Sequence, residues 1–488
     1  MTNAEEDKPA GKRLCINCIG EAYLSTEVGV AGEEGECDYC GDTAPSISID
    51  DLVERVEQAF TDHYARTATN PDSWEERLMA DRESSYCWER DGFPVREAIQ
   101  DAAGLDEEAA ADVLEILEAK HALHHDKDNL GEESEFSSDA HYKRRQPNGL
   151  GLYLGWHEFE QSLKTRARFF SSAGEELLAR VFSGIDKIKT LAGRPLVLEA
   201  GPTTPLDHLY RARVFQSDRM LEAALCRPDY HLASPPPRIA RAGRMNAQGI
   251  SVFYGATRED VAIAEVRPPV GSRVAVARFE IARSLRLLDL TAASEAHEDG
   301  SIFDPSFKER LARAAFLRSL GARMVRPVMP DDETIDYLPT QAVADYLATA
   351  NEPRLDGIVF PSAQVEEGRN IVLFNHAARV EELAFPKGTA IHASTGHNGE
   401  DGWETEYYVR EIFPLRENRQ ADPIEDGVLG GFPHSTPPPD HDADYRDAAL
   451  RIMRDTVKVH HVNWVRVGTT SFDVARHRSE RRDLRMCG

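Results

Sequence analysis

The chain has 488 residues, too many for one ordinary core, and length alone suggests about three domains. Its composition, 41% hydrophobic and 29% charged, is that of a globular protein. The lack of an apolar run of about 18 residues excludes a membrane-spanning helix. A formal net charge of −27 argues against a large nucleic-acid footprint, which needs a basic surface.

Residues 1–12 (MTNAEEDKPAGK) are charged and lack an apolar stretch of the secretory type, so they are expected to be disordered and the protein cytoplasmic. Residues 13–45 carry Cys15 and Cys18, then, after 18 intervening residues, Cys37 and Cys40. Two Cys-x-x-Cys turns at that spacing supply the four soft ligands of a tetrahedral zinc ion. A site with every position filled by thiolate leaves none for chemistry, so the expected role of Zn2+ is structural. Four free thiols or a redox pair are the alternatives. Cys87, Cys226 and Cys487 are scattered and odd in number, as in a reducing compartment.

From about residue 47 the pattern becomes helical. Asp50 is expected to cap a helix with Leu52, Val53, Val56 and Phe60 on one face. Further helices are predicted in FPVREAIQDAAG and LDEEAAADVLEILEAKHAL, a loop over 121–148, and one long packing helix from Trp156 to about Lys189. After Pro195 the chain turns to short strands: LVLEA, LYRARVF, SVFYGA, RVAVARFEI, LRLLDL, GIVFPS and NIVLFN. Helices are interleaved near 258–267, at 306–322 and from Pro339 to about Ala350. Most of 391–442 is Gly-, Asp- and Pro-rich and expected to be poorly ordered. A short helix (DYRDAALRIMRD), a strand-like VKVHHVNWVRV and a solvated RHRSERRDLR end the chain. The fold class is α+β, with expected domains at 1–45, 46–195, 196–390 and 391–488.

Three features of residues 205–375 carry chemistry. Arg211 in HLYRARVF and Arg244 in AGRMNAQG sit at strand-like positions expected to be half buried. Such arginines recognise anions by paired hydrogen bonds, or else form surface ion pairs. In TREDVAIAEVRPP, Thr257 and Asp260 resemble a capping box. Glu265, four residues after Val261 and three after Ala262, shares their apolar face, and a carboxylate there is either paired or functional. Ser362 ends a predicted strand, with Gly368 in the turn that follows.

Together YRAR, GRMNAQGISVFYGA, the AEVRP helix, VARFEIARSLRLLDL, YLPTQAVADYL, LDGIVFPS and GRNIVLFN resemble the RES domain family over residues 205–380. The resemblance implies a fold similar to ADP-ribosyltransferases and diphtheria toxin, and a toxin that destroys NAD+. It gives Arg244, Glu265 and Ser362 the family's Arg, Glu and Ser. It gives Tyr254, eleven residues before Glu265, an aromatic position lining the nicotinamide pocket. Arg211 resembles a second, phosphate-facing arginine, and which of Arg211, Arg213 and Arg244 meets phosphate stays open. NAD+ is the implied substrate and a small antitoxin the implied partner. The implied reaction breaks the nicotinamide–ribose bond, with water, phosphate or a protein side chain as acceptor. A protein ADP-ribosyltransferase, or a zinc- and HEPN-like binding protein with an inert RES domain, are the alternatives.

The zinc-knuckle segment, the helices and WHEFEQSLKTRARFF are similar to the HEPN/RES N-terminal domain that precedes some RES domains. HEPN ribonucleases carry Arg-x4–6-His on a helix. No such pair falls within 47–190, and Arg454 with His460 lies in a strand-like segment, so ribonuclease activity is not expected.

Overall fold

The computed structural model describes residues 9–122, 133–146, 149–400, 402–414, 444 and 446–478. Most of the leader, most of the stretch expected to be disordered, and most of the Arg-rich end lie outside the described residues. The chain divides into two compact units. The first comprises Met1–Glu199, Ala240–Ile250 and Leu285–Pro361; the second comprises Ala200–Ile239, Ser251–Ser284 and Ser362–Gly488. Among the described residues, no helix is long and apolar enough to cross a membrane.

In the first unit, the Cys-bearing segment forms a three-stranded sheet with Thr43–Ser48 between Arg13–Cys15 and Glu33–Glu36. It also contains a helix, Ala22–Ala31, that its Gly- and Ser-bearing sequence concealed. Glu21 caps this helix by accepting from Leu24 N at 2.7 Å, and Leu24 and Val28, four residues apart, are its buried face. Both pack in one core with Leu14, Leu52, Val56, Phe60, Ile99 and Leu117, so the segment shares the core of the helices that follow. The helix predicted to start at Asp50 runs over Ile49–His63, and its cap is Ser48, whose hydroxyl accepts from Asp51 N at 3.1 Å. The helices Val95–Ala103 and Glu107–Ala122 match the predicted ones. Part of the predicted loop is instead a strand, His141–Arg144, between Tyr64–Arg66 and Phe93–Pro94.

The predicted long helix is two, Leu150–Thr165 and Ser172–Phe182. Ser171 accepts from Gly174 N at 3.2 Å and starts a new helix, while Phe169 and Phe170 are left exposed in the break. Leu285–Asp289 and Gly357–Pro361 pair in parallel. The helices Phe307–Val325 and Leu338–Thr349 follow the predicted positions.

The second unit is built on five antiparallel strands. In chain order they are β1 (His208–Phe215), β2 (Phe253–Ala256), β3 (Arg273–Ile281), β4 (Arg369–Leu373) and β5 (Leu450–His461). Their spatial order is β5-β3-β1-β2-β4. A two-turn helix, α1 (Glu259–Glu265), follows β2. Its Val261 and Ala262 pack on Ala212, Ala256, Val274 and Val276, which thereby mark the sheet face that the helix covers.

Strand β5 corrects the sequence reading, which put a helix over DYRDAALRIMRD. Its residues pair with β3 from Ile281↔Leu450 to Arg273↔His461. The register shifts once, so that Arg454–Val457 stand opposite Ala277 alone, and Thr456 Oγ1 accepts from Arg278 N at 3.0 Å. The stretch 391–442, most of which was expected to be poorly ordered, contributes to two antiparallel strand pairs, Ala390–Ser394 with Tyr408–Ile412 and His397–Gly399 with Gly402–Glu404.

Candidate active site

Glu265 is the last residue of α1 and is half buried. The expected capping box at the other end of this helix is absent. The N-cap is Arg258, which makes no side-chain cap and instead grips Asp260, with Nε donating to Oδ1 at 3.0 Å.

Ser362 opens a tight loop that returns to β4. Its amide donates to Gly368 O at 2.7 Å, and Gly368 N donates to Val365 O at 3.0 Å. Glu367 in this loop holds a left-handed φ of 57°. A Cβ on Gly368 would stand 2.9 Å from Val365 O and 3.0 Å from both Ser362 Cβ and Val261 Cγ2, so only glycine lets the loop press on α1.

The Ser362 hydroxyl accepts from Gln364 N at 3.0 Å and from Val365 N at 3.2 Å. Its proton goes to Glu265 Oε1 at 2.5 Å, a length typical of a hydroxyl bound to a carboxylate. A serine has one proton and two lone pairs, so all three are committed. Glu265 Oε2 accepts no hydrogen bond among the described residues. A half-buried carboxylate held by one oxygen, with the other oriented but unused, can stabilise a positive charge developing beside it.

Tyr254 lies on β2 two residues before Ala256, so strand alternation sends it to the face that α1 covers. Arg211 goes to the other face. On β1, Tyr210, Ala212 and Val214 pack under α1, and Arg211 and Arg213 alternate with them. The Arg211 guanidinium sits 4.8 Å over the Phe253 ring and donates to Tyr254 O at 2.7 Å. Burial, with Arg213 nearby, brings its pKa down to about 10. Arg213 is exposed and donates to His231 O at 2.6 Å.

Arg244 belongs to the first unit. Its guanidinium donates to Met324 O at 3.2 Å and Arg326 O at 2.8 Å and lies 4.9 Å over the Tyr337 ring. The structure thus joins Glu265 to Ser362 and puts Tyr254 on the same face of the sheet. Sequence reasoning missed the amides of Gln364 and Val365. A serine opening a short run that ends in glycine was their signal.

The four N-terminal cysteines do come together, with every sulfur within 4.8 Å of the others. Cys15 is 3.8 Å from Cys18 and 3.5 Å from Cys40, and Cys18 is 3.9 Å from Cys37. Burial raises the Cys37 thiol, but the amides of Cys40, Cys15 and Tyr39 outweigh it and bring the group down to about 7. This is a donor set of the type that holds one tetrahedral metal ion.

No curated protein and no solved structure matches the chain. Two family models do. Residues 209–392 match the RES domain, which encloses Arg211, Arg244, Tyr254, Glu265 and Ser362, and residues 30–176 match HEPN/RES N-terminal domain 1. The chain therefore carries a RES domain over residues 209–392, with a HEPN/RES N-terminal domain 1 ahead of it over residues 30–176.

Proposed function

We propose that this protein is an enzyme that breaks the bond between nicotinamide and ribose in NAD+, as a toxin or defence effector. The RES domain match supports a toxin-like, NAD-related role. The observation that carries the finer reading is the 2.5 Å bond from Ser362 to Glu265.

In this reading Glu265 faces the nicotinamide ribose. As the C1′–N bond breaks, both its electrons pass to the pyridinium nitrogen, and neutral nicotinamide leaves. C1′ becomes cationic, and the Glu265 carboxylate stabilises it and holds the 2′-hydroxyl. Ser362 fixes the carboxylate's orientation. Tyr254 stacks on the nicotinamide ring. Arg211, on the other face of the sheet, anchors β2 through the Tyr254 carbonyl. Water or inorganic phosphate then adds to C1′ and loses a proton.

A structural zinc ion on Cys15, Cys18, Cys37 and Cys40 belongs to the same reading. Zinc–sulfur bonds of about 2.3 Å give a tetrahedron with edges of about 3.8 Å. Sulfur separations of 3.5, 3.8 and 3.9 Å fit it.

The test incubates purified protein with NAD+, with and without phosphate, and identifies the products. Free nicotinamide is expected, with ADP-ribose or its 1-phosphate. Glu265→Gln should slow this at least about a hundredfold with an unchanged melting temperature. An intact NAD+ pool, or a Glu265→Gln rate equal to wild type, overturns the reading. ADP-ribose recovered on protein would instead assign a transferase.

A further inference from the structure

We propose that strand β5, which lies beyond the RES match, is a positioning element for α1 and, through it, for Glu265; the catalytic half of this inference rests on the function proposed above. Lys458 stands opposite Val276 and His460 opposite Val274, and both of those valines belong to the core under α1. Cross-strand partners emerge on the same face of a sheet, so the two side chains reach the helix. Lys458 Nζ donates to Glu259 Oε2 at 2.8 Å, and His460 Nε2 meets Glu259 Oε1 at 3.0 Å. Both oxygens of the first residue of α1 are therefore held by one strand.

The same strand continues into Val462, which packs against the core under α1. Val462 is tied to the turn before β3, its amide donating to Ser272 O at 3.0 Å and its carbonyl accepting from Gly271 N at 2.8 Å. The Lys458 ammonium keeps the Glu259 carboxyl below its ordinary pKa, as expected of a formed ion pair.

The helix needs such support. It has only seven residues and no side-chain cap, and a helix that short is not stable without tertiary contacts. Its far end must present Glu265 to Ser362 within hydrogen-bond reach. A tilt of α1 about its first turn would lengthen that bond.

The test uses the full chain and three variants: Lys458→Glu, Glu259→Lys, and the charge swap that combines them. Two quantities are measured, amide hydrogen exchange over residues 259–265 and NAD+ turnover. Each single variant should speed exchange in α1 and lower kcat about tenfold, with KM within about twofold. The swap should restore both. Unchanged exchange in the single variants, or no recovery in the swap, overturns the proposal. So does faster exchange with full turnover. If the wild-type chain leaves NAD+ intact, the proposed function fails, and the exchange data alone decide whether β5 holds α1.

Discussion

The hydroxyl of Ser362 receives two amide protons from its own loop and gives its single proton to Glu265. Replacing it with alanine removes one bond from the carboxylate and leaves two amides without their acceptor. Ser362→Ala should lower kcat about a hundredfold and change KM little, because the lost bond matters most when charge develops. Steady-state kinetics on NAD+ would check this, and a rise in KM alone would contradict it. The position of Glu265 was legible from spacing, since its distance from Val261 and Ala262 fixes a helix face. Ser362 stood out only as a strand-end serine, and its pairing with Glu265 was not legible, because that partner lies 97 residues away. The facing of Arg211 was hidden too. Alternation says that Arg211 opposes Ala212, but not which of the two lies under the helix.

Elements show a similar division. Strands and helices with strong periodicity, such as Arg273–Ile281 and Phe307–Val325, were readable in the sequence. Leu450–His461 was readable only in its second part, within the strand-like VKVHHVNWVRV; its first part was not, because an Ala-, Met- and Arg-bearing run favours helix locally, and pairing along β3 overrides that preference. The strand His141–Arg144, read as loop, was missed because its partners lie far off in sequence.

Arg90 sits close to that small sheet. It meets Glu133 through two bonds, Nη1 to Oε1 at 2.9 Å and Nη2 to Oε2 at 2.6 Å, and also donates to Asp139 O and Thr67 O. Both side chains are mostly buried. Removing one partner of such a pair costs about 3 kcal/mol, so Arg90→Met should lower stability by that order in urea unfolding. The Arg90 hydrogen bond holds the Glu133 carboxyl below its ordinary pKa. The pair's contribution is therefore complete above the unfolded glutamate value, about 4.3, and fades as pH falls through the lower folded one. In the Arg90→Met variant this loss on acidification should be absent.

At the scale of the whole molecule, the cysteine segment has no core of its own. Leu14, Leu24 and Val28 pack among the side chains of the helices that follow. A metal ion on its four sulfurs would therefore support the larger core as well. Elemental analysis should find about one zinc per chain, and Cys18→Ser should lower the melting temperature and expose the first unit to proteolysis. Zinc-free protein of unchanged stability would contradict this.

The strand at the sheet edge has a practical consequence for anyone who divides the gene. A fragment ending at residue 392, where the family likeness stops, would delete the strand that, among the described residues, pairs with one side of Arg273–Ile281. Nine residues of a Val- and Ala-rich strand would then offer bare amides and carbonyls to any passing chain, the template from which sheet-to-sheet clumping grows. The natural end point of this module is set by hydrogen bonding past residue 460, not by sequence likeness.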